Sequence, residues 1–168
     1  MPIDTVTKKI TYTGSISFSS KKDEAYKKSK DWFTGTKYFT QSFDDATFNK
    51  MTIQGATSVY YKKEGGVANT GFVINKSNEV SSNSTQQEAA GSVSYTIDLA
   101  FSSNKVTYRI TNFIHKGTGE IGDGGPLENY PLCGAEKIGT IPNWDYYKQQ
   151  VNDAVLKTLE EYKSLLQI

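Results

Sequence analysis

Ser92-Val93-Ser94-Tyr95-Thr96-Ile97-Asp98-Leu99-Ala100-Phe101, Ser102-Ser103-Asn104, then Lys105-Val106-Thr107-Tyr108-Arg109-Ile110-Thr111-Asn112-Phe113-Ile114-His115 is the stretch that decides the fold. Apolar side chains fall on alternate positions of the first arm, from Val93 to Phe101, and return at Val106, Tyr108, Ile110 and Ile114. A repeat of two residues belongs to a strand with one buried face, and the polar Ser-Ser-Asn turn makes the arms an antiparallel hairpin. The opposite face of the second arm then carries Lys105, Thr107, Arg109, Thr111, Phe113 and His115.

Working upstream, Val6 to Phe18 also alternates. Val6, Ile10, Tyr12, Ile16 and Phe18 point one way and a row of threonines and serines the other, so one long half-buried strand is expected. Ser19 and Ser20 precede Lys-Lys-Asp-Glu, a helix start with acidic residues in its first turn. Ala25, Tyr26, Ser29, Trp32 and Phe33 form the apolar face of that helix, which should end near Gly35. Two further strands are expected over Tyr38 to Phe43 and Phe48 to Tyr61, with Asp44-Asp45 as the turn and Gly55 marking a bulge. Asn75 to Gly91 is rich in Ser, Asn and Gln and reads as a mobile surface loop.

Downstream, Lys116 to Pro142 holds seven glycines and three of the four prolines, which predicts a long loop without regular structure. From Asn143 the period changes to three and four: Trp144, Tyr147, Val151, Val155, Leu159, Tyr162 and Leu166 line one face of a long C-terminal helix. The aromatics of that stripe read as core. The order strand, helix, several strands, helix leaves no room for parallel crossovers between most strands. The expected fold is therefore α+β: one domain over residues 1–168, a mainly antiparallel sheet with both helices on one face and a hydroxyl-rich outer face.

Composition narrows the function classes. A chain of 168 residues buries roughly 70% of its unfolded surface, enough for one core without staples. Cys133 is the only cysteine, which excludes an internal disulfide and a cysteine-based structural zinc site. Nineteen basic against eighteen acidic residues leave a net charge of +1, so nucleic acid is not expected as a partner. A saddle-shaped sheet can press into a minor groove, but this outer face offers too few cations to release many counterions. No run of ~18 apolar residues predicts a membrane span, and Met1-Pro2-Ile3-Asp4 has no signal-peptide pattern.

The chain resembles a known family at Ala25-Tyr26-Lys27-Lys28-Ser29-Lys30-Asp31-Trp32-Phe33, after the strand that opens Pro2-Ile3-Asp4 and carries Lys9-Ile10-Thr11-Tyr12. The later strand Asn104 to Phe113 adds to the likeness, which spans residues 2 to 115 and the closing helix. The family is the domain of unknown function with a TATA-box-binding-protein-like (TBP-like) fold, found in secreted proteins and lipoproteins of Bacteroidetes. Its motifs are aromatic plugs and sheet residues, so they speak to fold. The resemblance implies a periplasmic or cell-envelope location after signal removal and assigns no catalytic residues.

Several constellations bear on chemistry. Gly117-Thr118-Gly119-Glu120-Ile121-Gly122 has the glycine spacing of a dinucleotide-binding turn, but Asp123-Gly124-Gly125-Pro126 cannot propagate the helix that turn requires. Cys133 and His115 could form a nucleophile and base at the Gly-rich loop; the plainer reading is a small packing residue and a solvated strand-end histidine. Glu120, Asp123 and Glu128 match no calcium loop. Asn75-Lys76-Ser77 and Asn83-Ser84-Thr85 fit the glycosylation acceptor pattern, which is too short to carry weight. The reading from sequence is a non-enzymatic binding or protein-interaction domain of the cell envelope, with no catalytic, cofactor-binding or metal residues. The alternatives are an enzyme using Cys133 and His115, or a homodimer paired through the open sheet face.

Overall fold

The structure, a computed structural model, describes residues 1–61, 89–118, 122–129 and 141–167. In chain order its elements are β1 (Tyr12–Ser17), α1 (Lys22–Thr34), β2 (Phe39–Asp45), β3 (Lys50–Tyr60), β4 (Ala89–Phe101), β5 (Lys105–Lys116), β6 (Gly125–Pro126) and α2 (Ile141–Gln167). The strands form one sheet in the order β1-β5-β4-β3-β2, with β6 extending the β1 edge along β5, and every pairing is antiparallel. The fold class read from the sequence is the one observed, and the Ser102-Ser103-Asn104 turn joins β4 to β5 as expected.

The helical stripe explains where α2 sits. Trp144, Tyr147, Val151, Val155, Tyr162 and Leu166 are all buried, and at about 1.5–3 kcal/mol each they contribute on the order of 10 kcal/mol. The exposed Asp145–Lys148 pair on the same helix, 3.7 Å apart, is worth well under about 1 kcal/mol and cannot compete in orienting it. Polar side chains at the stripe's margin fix the register: Tyr12 of β1 donates to Asn152 at 2.7 Å, and Gln150 brackets the Tyr60 backbone, accepting from its N–H at 3.1 Å and donating to its carbonyl at 2.9 Å.

α1 is shorter and buries only Ala25, Ser29 and Phe33 fully. It is tied down by an aromatic cluster. Trp32 stacks on Tyr162 of α2 at 5.6 Å, and Phe33 meets Phe39 of β2 edge-on at 5.1 Å. The Ser29 hydroxyl donates to the Ala25 carbonyl at 2.7 Å and lies 2.7 Å from the Tyr162 hydroxyl, so both helices share the inner face of the sheet. Asp23 and Glu24 occupy the first turn, but neither serine caps it: Lys21 is the N-cap residue and makes no side-chain cap bond.

Four local expectations are corrected. The first strand begins at Tyr12, not Val6, because Asp4 gathers the chain into a turn. Its carboxylate accepts from the N–H groups of Val6 (3.0 Å) and Thr7 (2.7 Å), Lys8 takes a left-handed φ of 57°, and Val6 is left exposed. Gly55 marks no bulge. It sits opposite Tyr95, whose ring lies where a Cβ would go, and the bulge falls instead at Val59/Tyr60. Only Asp45 of the Asp44-Asp45 pair serves the turn, accepting from the Phe48 N–H at 3.1 Å; Asp44 faces α1 and accepts from Lys30 Nζ at 2.6 Å and from the Tyr26 hydroxyl. The Gly-rich stretch, finally, is not wholly irregular, since Gly125–Pro126 pairs with β5 and Leu127 is fully buried behind it. Of the Asn75 to Gly91 loop, residues 75–88 lie outside the described residues.

The consequential difference is in β5. Thr111 pairs with Thr96 and Ile114 with Ser94, so Tyr95 opposes both Asn112 and Phe113. This is a β-bulge, with Asn112 at φ 59°. One extra residue exchanges the two faces, so that Phe113 and His115 turn inward and Ile114 becomes exposed.

Candidate functional site

The outer face of the sheet is ordered by its register. Phe43 pairs with Thr52, Thr52 with Asp98, Asp98 with Arg109 and Arg109 with Thr13, a row that crosses all five long strands. The Thr52 hydroxyl donates to Asp98 Oδ1 at 2.8 Å. In a neighbouring row Thr96 donates to Gln54 Oε1 at 3.2 Å. Phe43 is half exposed on this face, and with Lys50, Thr52, Asp98, Thr107 and Arg109 it lines an open groove of about 370 Å³. The arrangement offers a flat apolar ring, hydroxyl groups, one anionic side chain and two cationic ones.

A second groove, of about 300 Å³, lies at the β5 bulge. Its walls are Thr7, Lys8 and Lys9 from the turn before β1, Asn112 and Ile114 from β5, and Glu128 and Asn129 after β6. The Thr7 wall is held by Asp4, whose carboxyl is kept below the usual carboxylate range chiefly by hydrogen bonds from the Thr7 backbone and hydroxyl. Three described non-glycine residues have left-handed φ, and two of them, Lys8 and Asn112, line this groove. Such a conformation costs a lysine about 1–2 kcal/mol. Among the described residues, Glu128 Oε2 is a buried atom without a hydrogen-bond partner, a penalty of about 1–3 kcal/mol for a buried acceptor. Sequence reasoning missed this groove, because it exists only through the bulge.

His115 does not lie on the surface. It is fully buried, stacked on Tyr147 at 5.4 Å with rings 3° from parallel, and Trp144 meets it edge-on. Gly124 N–H donates to Nδ1 at 3.2 Å, which fixes the proton on Nε2, where it is donated to the Ala90 carbonyl 3.2 Å away. Both ring nitrogens are thus engaged with backbone. His115 joins the start of β4 to the strand that holds β6. Cys133, its proposed nucleophilic partner, lies outside the described residues.

Burial holds the His115 pKa below its ordinary value of 6.5, partly opposed by the bond to Ala90 and by Asp123. The unfolded chain takes up a proton near pH 6.5 that the folded chain refuses, so the His115 contribution is complete above that value and is lost as pH falls through the lower folded pKa. Chemical unfolding at about pH 7.5 and about pH 5.5 should show lower stability at the acidic value, and His115→Gln should flatten the difference. An unchanged slope in the variant would place the pH dependence elsewhere.

The other sequence candidates separate. Gly125–Pro126 enters a strand, so no phosphate-binding helix follows the glycines, and Gly119 to Ile121 lie outside the described residues. Asp123 accepts from the Gly117 N–H at 3.1 Å and Glu128 is in the bulge groove; no cluster of three His, Cys, Asp or Glu is formed among the described residues. Trp144, Tyr147 and Tyr162 are core. No helix among the described residues is long and apolar enough to cross a membrane.

No family model and no curated protein matches the sequence. Among solved structures, the chain is similar to a DUF4468 family protein from Bacteroides ovatus, with TM-score 0.64 and 8% identity over 95% of this chain and 87% of that one. It is also similar to a TBP-like protein from Parabacteroides distasonis, with TM-score 0.53 and 9% identity over 96% of each chain. The fold is TBP-like. At such identities the likeness is one of backbone, and within the TBP-like frame the groove residues belong to this chain alone to explain.

Proposed function

We propose that the chain is a non-enzymatic binding domain of the bacterial cell envelope, and that its ligand is a polyhydroxylated chain laid across the outer face of the sheet. The row Phe43, Thr52, Asp98, Arg109 and Thr13 carries the reading. A sugar ring has an apolar face that stacks on an exposed aromatic and a rim of hydroxyls that both donate and accept. Asp98 supplies acceptors, Arg109 a fork of donors and the threonines either, while Phe43 supplies the platform. The envelope location is part of the proposal and rests on the sequence resemblance at Ala25 to Phe33 to a family of secreted proteins and lipoproteins.

Titration of the purified chain with polysaccharides extracted from bacterial envelopes, followed by fluorescence, tests this reading. Arg109→Ala and Phe43→Ala should each weaken binding about tenfold, while surface substitutions of this kind leave stability within about 0.5 kcal/mol. Absence of binding to every polysaccharide would refute it. Dimerisation that buries Phe43 and Arg109, seen by light scattering across concentration, would replace it with the homodimer reading.

A further inference from the structure

We infer that the groove at the β5 bulge is a binding site for a small zwitterion, an amino acid or the free end of a short peptide. The site is separate from the Phe43–Arg109 row and does not depend on what that row binds. Its floor is made by the bulge itself: Asn112, turned left-handed, sends its amide to the Thr96 hydroxyl at 3.4 Å, and Ile114 is thrown outward beside it. Lys8 and Lys9, from the turn before β1, line it together with Glu128, which follows β6.

The charges are the informative part. Glu128 forms no ion pair with Lys8 or Lys9, although all three line one groove, and among the described residues no donor meets its Oε2. A groove-lining carboxylate that has no ion pair with the neighbouring lysines is satisfied when a ligand presents an ammonium or N–H group to it. A ligand carboxylate lies correspondingly well beside the two lysines, and the Asn112 and Asn129 amides can meet a peptide group between the two ends. The volume of about 300 Å³ sits at the bottom of the range for small-molecule sites, which limits the occupant to something of amino-acid or dipeptide size. Left-handed backbone at both Lys8 and Asn112 is the second mark of a shaped site, since such conformations persist where the surroundings over-determine them.

The test is titration of the isotope-labelled full chain with alanyl-alanine, read by amide chemical shifts. N-acetyl-alanyl-alanine, which lacks the ammonium, and alanyl-alanine amide, which lacks the carboxylate, serve as paired probes. Shifts are expected at Lys8, Asn112 and Glu128, with affinity falling about tenfold or more for each blocked probe. Glu128→Gln should equalise the free and N-acetylated dipeptides, and Lys8→Gly, which keeps the left-handed backbone at no cost, should narrow the difference between the free and amidated ones while Lys9 remains. The paired probes test the unaltered chain and so do not depend on either variant folding. Equal responses to all three probes, or none at about 10 mM, would overturn the inference.

Discussion

Gly91→Ala is expected to lower the unfolding free energy by about 3 kcal/mol or more, the largest effect of any single added methyl group in the described sheet. Two costs coincide there. Gly91 has φ 134°, a conformation that L side chains rarely adopt, and an added Cβ would lie 2.1 Å from the backbone carbonyl oxygen of Lys116. A backbone atom cannot rotate aside as the tip of a side chain can, so β4 would have to part from β5 at the point where Ser92 pairs with Lys116. The damage would reach His115, whose Nε2 bonds to Ala90 immediately upstream. Denaturant unfolding followed by the fluorescence of Trp32 and Trp144 measures it. A change below about 0.5 kcal/mol would mean that β4 does not approach Lys116 so closely.

Tyr162 is the second position where a large effect is expected, and here two substitutions separate ring from hydroxyl. The ring is 1% exposed and is shared between the helices, stacked on Trp32 and 5.3 Å from Phe33. Tyr162→Ala should cost about 3–5 kcal/mol, in the range of aromatic-to-alanine changes in cores. Tyr162→Phe removes only the contact with Ser29, whose hydroxyl keeps the Ala25 carbonyl as a partner, so about 1 kcal/mol is expected. A comparable loss from both variants would mean that the hydroxyl pair, and not ring packing, joins α1 to α2.

Much of this architecture was legible in the residues. The α2 stripe from Trp144 to Leu166 is plain in the sequence because helix periodicity over 27 residues is a long and redundant signal. The inward set of β4, Val93 to Phe101, was equally clear, since period-two alternation ran five times without interruption. What failed was register at single residues. The β5 bulge is hard to see in sequence because Ile110 and Ile114 are both apolar and four apart, as an unbroken strand requires. Its two signs are Asn112, an asparagine able to take left-handed φ, and Phe113, an aromatic out of phase on the polar face.

The same mechanism accounts for the N-terminus and for the sites. Val6 continues the alternation of β1 on paper, but the local hydrogen bonds of Asp4 compete with strand pairing and prevail before Tyr12. Alternation counted forward from Arg109 puts His115 on the outer face; the extra residue of the bulge turns it inward instead, against Trp144 and Tyr147. The bulge groove joins residues 7–9, 112–114 and 126–129, three segments far apart in sequence, and no local pattern marks their convergence. The outer row was half legible: Thr13, Asp98 and Arg109 had their face assigned by alternation, whereas the pairing that aligns them with Phe43 depends on register.

Everything rests on the sheet having a covered face and an open one. Adjacent residues of β3 test this most directly: Ile53 is fully buried beneath the helices and Gln54 is exposed on the other side. With Cys133 replaced by serine, Gln54→Cys and Ile53→Cys can each be labelled with a maleimide and the rates compared. Gln54→Cys should react as fast as a free thiol, and Ile53→Cys only as fast as the chain unfolds. Similar rates at the two positions, or faster labelling at residue 53, would contradict the account.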